Sequence, residues 1–166
     1  MGLLFRLLDF CPALLEQARK NRVLKTRIAS GSLELVEADA LDLPFSNESF
    51  DAITVAYGLR NFCNRQKFYT EANRVLKHGG ALYILEFSQP DAVIRPFYRL
   101  YSSLLPALAG LLGAPKDAYA YLNASIKAFP NANALTQELL QAGGFSEVAC
   151  RRMTLGVVAL HCAKKL

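Results

Sequence analysis

The stretch that most constrains the fold is residues 74–88, Arg-Val-Leu-Lys-His-Gly-Gly-Ala-Leu-Tyr-Ile-Leu-Glu-Phe-Ser. Helical spacing runs up to Leu76, and Lys77 and His78 set donors beside the last carbonyls of that helix. Gly79 and Gly80 can then take the left-handed conformation that stops it. Residues 81–85 are apolar on both faces, as a central strand of a parallel sheet must be. An amphipathic helix feeding such a strand predicts an α/β layering. Ligands of open α/β sheets lie beyond the carboxyl ends of the strands, which puts Glu86, Phe87 and Ser88 beside a site. On spacing alone, the stretch is an ordinary helix-turn-strand unit.

The rest of the chain repeats the alternation. Residues 2–10 read as a buried strand ending at Asp9, and Pro12 opens a helix through about Lys20. Residues 21–31 are polar and basic and read as a helix end and loop, followed by a strand over 33–38. A turn at 46–49 leads into a buried strand over 50–57, with Gly58, Leu59, Arg60 and Asn61 at its carboxyl end. Residues 66–77 form an amphipathic helix with Phe68, Ala72, Val75 and Leu76 inward. Two aromatic- and leucine-rich helices over 95–112 and 117–129 are too long for a plain crossover and read as a cap inserted at about 91–130. A helix over 134–142 stops at Gly143-Gly144, and residues 145–153 and 154–163 close the chain as an antiparallel hairpin.

Length and composition exclude several classes. A chain of 166 residues is one domain by length, and 52% hydrophobic content allows a buried core. The net charge of +5 suits anionic ligands or an anionic membrane surface. Lys and Arg are scattered rather than clustered, which disfavours nucleic acid. Cys11, Cys63, Cys150 and Cys162 form no CxxC pair and sit in apolar segments, so they read as reduced core residues of a cytoplasmic protein rather than a zinc site or disulfide frame. Residues 104–112, the longest apolar stretch, fall short of the ~18 a spanning helix needs.

Residues 74–88 resemble the signature of the ubiquinone/menaquinone biosynthesis C-methyltransferases (UbiE-type), with His78 where that family usually carries proline. Residues 51–61 (Asp-Ala-Ile-Thr-Val-Ala-Tyr-Gly-Leu-Arg-Asn) and 156–161 (Gly-Val-Val-Ala-Leu-His) match in the same order, and the similarity runs from about Gly2 to the C-terminus. The resemblance implies a Rossmann-like class I methyltransferase sheet and transfer of a methyl group from S-adenosyl-L-methionine to a ring carbon of a polyprenyl quinol. It implies Asp9 as acceptor for the ribose hydroxyls and Asp39 as acceptor for the adenine amino group. The Ala40 amide would meet an adenine ring nitrogen, and Ala56 is a cofactor position where relatives often carry serine. Arg60 would stabilise a developing oxyanion, Asn61 would orient the ring oxygen, and His161 would take the proton. No metal is implied. The setting implied is cytoplasmic, with room for peripheral contact at the inner membrane face and for a homo-oligomer.

The first strand and glycine-rich loop of a full class I methyltransferase have no counterpart, because the glycines never fall into a G-x-G-x-x-G pattern. The chain therefore resembles an N-terminally truncated member, and the loss of a central strand is expected to leave two strands with unpaired neighbours. This opens a second reading, a non-catalytic paralogue that binds a complete enzyme of quinone biosynthesis. A dinucleotide oxidoreductase, suggested by Asp9 in an α/β pattern, is disfavoured because no Tyr-x-x-x-Lys pair occurs.

Overall fold

The structure, a computed structural model, describes residues 4–90, 93–98 and 116–166. The chain forms two compact units, residues 1–46 and 47–166.

In the first unit, β1 (Phe5–Asp9) and β2 (Leu33–Glu37) pair in parallel, from Phe5 opposite Leu33 to Asp9 opposite Glu37. Helix α1 (Pro12–Lys20) starts on Pro12, whose missing N–H has no partner to lose at that position. Residues 21–31 are not the expected loop. They carry a second helix, α2 (Arg22–Ala29), because the Asn21 side chain accepts from the Val23 and Leu24 amides at 3.0 and 3.3 Å and caps its first turn. β1 is not buried as expected: with a single neighbouring strand, it leaves Phe5 47% exposed.

The second unit holds β3 (Phe50–Ala56), α3 (Arg65–Val75), β4 (Leu76–Phe87), α4 (Lys116–Ala128), α5 (Ala132–Gln141), β5 (Phe145–Met153) and β6 (Val158–Lys165). Its sheet runs β3-β4-β6-β5, with β3 parallel to β4 and the other two pairings antiparallel. The closing hairpin is therefore antiparallel, as expected. Leu82 and Ile84 on one face of β4, Phe68, Tyr69, Ala72 and Val75 on α3, and Leu135 and Leu139 on α5 are all buried. Arg65 grips Glu138 through two bonds of 2.7 and 2.9 Å and the Tyr69 hydroxyl donates to the same carboxylate at 2.9 Å, joining α3 to α5. The helix expected over 95–112 lies largely outside the described residues, whereas that over 117–129 is α4.

The junction of α3 and β4 departs from expectation. The helix stops at Val75 because its last carbonyls are captured from across the chain: Glu48 N–H donates to Arg74 O at 3.0 Å and Ser49 N–H to Val75 O at 2.8 Å. Leu76 is already extended and pairs with Phe50, and the register then jumps to Ala52 opposite Ala81, so residues 77–80 bulge out. Lys77 and His78 do not cap the helix: Lys77 meets Asp51 at 2.8 Å, and His78 Nδ1 lies 2.7 Å from Leu166 O. Gly79 has φ +73°, but Gly80 is glycine for a different reason. A Cβ there would lie 2.9 Å from Lys77 O and 3.0 Å from Asp51 O.

Three other expectations are corrected. β4 buries Leu82, Ile84 and Glu86 on one face, while Tyr83 on the other is 38% exposed, so it is not covered on both sides. None of the cysteines is a core residue; Cys63 and Cys150 are exposed and Cys11 and Cys162 half-buried. Among the described residues β3 pairs with β4 alone, and it is an edge strand rather than a buried one.

Candidate functional site

In the first unit, Asp9 ends β1, and Asp39 and Ala40 follow β2. The two carboxyl ends are tied where the Ala38 N–H donates to Asp9 O at 3.2 Å. Each aspartate closes its own turn with Oδ1: Asp9 accepts from Cys11 N–H and Asp39 from Leu41 N–H, both at 2.8 Å. For Asp9 this bond lies in the turn before α1, whose N-cap is Cys11, and it occupies one of the two carboxylate oxygens. Asp9 is half-buried, Asp39 is exposed and Ala40 half-buried.

In the second unit the carboxyl ends of β3 and β4 build a tighter arrangement. Ala56 ends β3, and the chain then turns sharply because Tyr57 takes φ +55°, costly for a residue with a side chain. That turn leads into a short 3₁₀ helix, Leu59–Asn61, anchored by the fully buried Leu59. Arg60 Nη1 donates to Tyr57 O at 2.6 Å and to Glu86 Oε1 at 2.7 Å, and the Arg60 backbone N–H reaches Glu86 Oε2 at 3.3 Å. Phe87 N–H adds a third donor to Glu86 at 2.8 Å. The carboxylate is 1% exposed and the guanidinium 12%, so this is a buried ion pair. The Arg60 guanidinium also stands 5.4 Å from the Phe87 ring centre, and its Nε is buried with no hydrogen-bond partner. Asn61 Oδ1 accepts from the Tyr121 hydroxyl of α4 at 2.9 Å, which leaves its Nδ2 to donate elsewhere.

The structure thus gathers Ala56, Arg60 and Asn61 at one sheet end, and Asp9, Asp39 and Ala40 at the other unit's sheet end. His161 belongs to the second unit but not to its strand-end group. It lies on β6 opposite Ile84, inward from the strand end, and is 1% exposed. Its Nε2 is 2.9 Å from Ala132 O; a carbonyl only accepts, so the ring proton sits on Nε2 and Nδ1 is left without a partner. Burial holds this imidazole below its ordinary range, and the bond to Ala132 offsets only part of that. Folding therefore favours the neutral ring. The resulting stability is fully present above the unfolded value of about 6.5 and is lost as pH falls below it toward the folded value. We expect the urea midpoint to drop between pH 7.5 and 5 by more in the parent than in His161→Gln; equal drops would contradict it.

Sequence reasoning placed Arg60 at the strand end but missed its pairing with Glu86, which lies 26 positions away. It also missed Tyr121, whose only signal was membership of an aromatic stripe. Among the described residues no group of His, Cys, Asp and Glu could hold a metal ion, and no helix is long and apolar enough to cross a membrane.

With this geometry in hand, known proteins give a consistent answer. The profile of the ubiE/COQ5 methyltransferase family matches residues 4–165. The chain is 43% identical over 155 residues to a demethylmenaquinone methyltransferase of Clavibacter sepedonicus, covering 92% of this chain and 61% of that protein. It is 40% identical over 157 residues to a ubiquinone/menaquinone biosynthesis C-methyltransferase of Idiomarina loihiensis, covering 93% and 61%. The chain therefore spans about three-fifths of the length of these relatives. Among solved structures, a methyltransferase described as putative from Bacillus halodurans superposes with a TM-score of 0.63 at 19% identity, covering 96% of this chain and 82% of that one. A SAM dependent methyltransferase from Aquifex aeolicus gives 0.60 at 14%, covering 97% and 68%. At such identities these structures establish the fold alone.

Proposed function

Because the chain belongs to the ubiE/COQ5 methyltransferase family, we propose that it serves S-adenosylmethionine-dependent C-methylation of a polyprenyl quinol, a demethylmenaquinol or a 2-polyprenyl-6-methoxy-benzoquinol. The observation that carries this reading is the turn beyond β3. There Arg60 and Asn61 are fixed at the carboxyl end of the sheet by Glu86 and Tyr121, where ligands of such sheets lie. When bound, the cofactor supplies an electrophilic methyl group on a sulfonium.

The residues present fit the adenosyl end of that cofactor. Asp9 and Asp39 each keep one carboxylate oxygen outside their own turns, as a ribose diol and an adenine amino group require. Ala40 offers its backbone N–H to an adenine ring nitrogen. Arg60 cannot act as a base, since its guanidinium stays protonated. Its charge is matched by Glu86, so it acts through oriented N–H dipoles on a substrate oxygen that gains negative charge, and Glu86 keeps it from reorienting. Asn61 holds the ring oxygen through Nδ2. His161, buried and bonded to Ala132 O through Nε2, positions the start of α5 and keeps Nδ1 as its one acceptor nitrogen.

The second reading, a non-catalytic partner of a complete enzyme, is favoured by one observation: among the described residues β1 and β3 are each edge strands of their own units. A single assay separates the two. Protein supplied with methyl-labelled S-adenosylmethionine and short-tailed demethylmenaquinol or methoxy-benzoquinol should move label onto the ring. Saturable cofactor binding with no label on either quinol would overturn the catalytic reading.

A further inference from the structure

At the carboxyl end of β4, two buried polar atoms have no hydrogen-bond partner among the described residues: Arg60 Nε and Ser88 Oγ. Ser88 directly follows β4, and its N–H donates to Val157 O at 2.8 Å, which carries the ladder one residue past the strand. Leu82, Ile84 and Glu86 share the buried face of β4, and Ser88, 4% exposed, continues that series on the same side. The backbone bond to Val157 needs no serine. A hydroxyl sealed from water without a partner costs free energy that an alanine at this position would not. The other side chains here cannot take its place at a ligand. Glu86 already receives Arg60 Nη1, Arg60 N–H and Phe87 N–H, and Phe87 carries no polar side-chain atom.

We propose that Ser88 determines substrate specificity: its hydroxyl holds the second oxygen of a ring whose first oxygen meets the Arg60–Asn61 turn. The inference rests on the methyl-transfer reading, in which the substrate is a quinol. Such a ring carries an oxygen at each of two opposite ends. Ser88 stands two residues beyond Glu86, the carboxylate that grips Arg60, so roughly 7 Å of strand separates the two positions. That spacing is on the scale of a six-membered ring with an oxygen at either end. A serine hydroxyl both donates and accepts, so it serves a ring oxygen whether that oxygen is protonated or charged. Ser88 Oγ is closed off from solvent, so it is reached only as the ring enters the site, and no water then competes for the bond. A ring lacking the second oxygen leaves the hydroxyl unmatched and is disfavoured for that reason.

Equilibrium binding under reducing conditions tests this with three ligands: a short-tailed demethylmenaquinol and the two prenylated naphthols that each lack one of its ring hydroxyls. Ser88→Ala should weaken the quinol about tenfold. It should weaken one naphthol by a similar factor and leave the other, which lacks the oxygen facing Ser88, bound as in the parent. A residue that only shaped the site would weaken all three ligands alike. The urea midpoint of Ser88→Ala should equal or exceed that of the parent, because the substitution removes an unmatched hydroxyl. Quinol affinity unchanged by Ser88→Ala, or equal weakening of all three ligands, would overturn the role of Ser88 and leave the methyl-transfer reading standing. A lowered urea midpoint would do the same, since the hydroxyl would then be satisfied within the fold. Failure of the parent to bind the quinol would overturn both.

Discussion

Glu86→Ala should lower stability by about 3–5 kcal/mol, because it leaves a guanidinium buried without its counter-charge. Three donors converge on this carboxylate, from Arg60 Nη1, Arg60 N–H and Phe87 N–H, and all three lose their acceptor together. For a chain of this size each kcal/mol moves the melting midpoint by roughly 2–4 °C, so a fall on the order of 10 °C is expected. The double variant Arg60→Leu with Glu86→Leu should recover much of the loss, since it removes both charges at once. That non-additivity distinguishes a buried ion pair from a position that merely tolerates no alanine. A Glu86→Ala midpoint within about 2 °C of the parent would mean that water reaches Arg60 and replaces the carboxylate.

Phe68→Ala should cost about 3–5 kcal/mol, the range for deleting a fully buried aromatic ring. Phe68 is 2% exposed, and its ring stands edge-on to Phe62 with centroids 4.9 Å apart. Phe62 immediately follows Asn61, so the hole opens directly behind the 3₁₀ turn. Phe68→Leu keeps most of the volume and should cost less than about 2 kcal/mol. Urea denaturation measures both. Similar costs for Ala and Leu would show that the edge contact with Phe62, rather than filled volume, holds α3 in place.

Much of this fold was legible because its strands are short apolar runs and its helices carry plain 3.6-residue stripes. The 50–56 and 33–37 strands, α3 and the first arm of the closing hairpin fall within a residue or two of expectation, whereas the second arm starts at Val158, four residues late, because Thr154–Gly156 forms a 3₁₀ turn. The failures share a cause: each depends on an atom distant in sequence or on a cap of one residue. Helix α2 was hidden because residues 22–29 look like a basic loop until Asn21 is seen capping them. The end of α3 is set by amides of Glu48 and Ser49, which no helix-stop rule at residues 76–80 could supply. The strands read as buried were apolar enough, but among the described residues β1 and β3 have one neighbour each. At the site, Arg60 and Asn61 lie at the strand end where the motif put them, yet the carboxylate that holds Arg60 belongs to the next strand. His161 carried a usable signal: alternation places it between Ala159 and Ala163, both buried, on the same face of β6.

If this chain's own strand ends receive an adenosyl group, calorimetric titration with S-adenosylmethionine should show saturable binding that Asp9→Asn and Asp39→Asn each weaken by roughly tenfold, the effect of losing a charge-assisted hydrogen bond. No saturable heat from the parent protein, or an affinity that neither substitution changes, would contradict it.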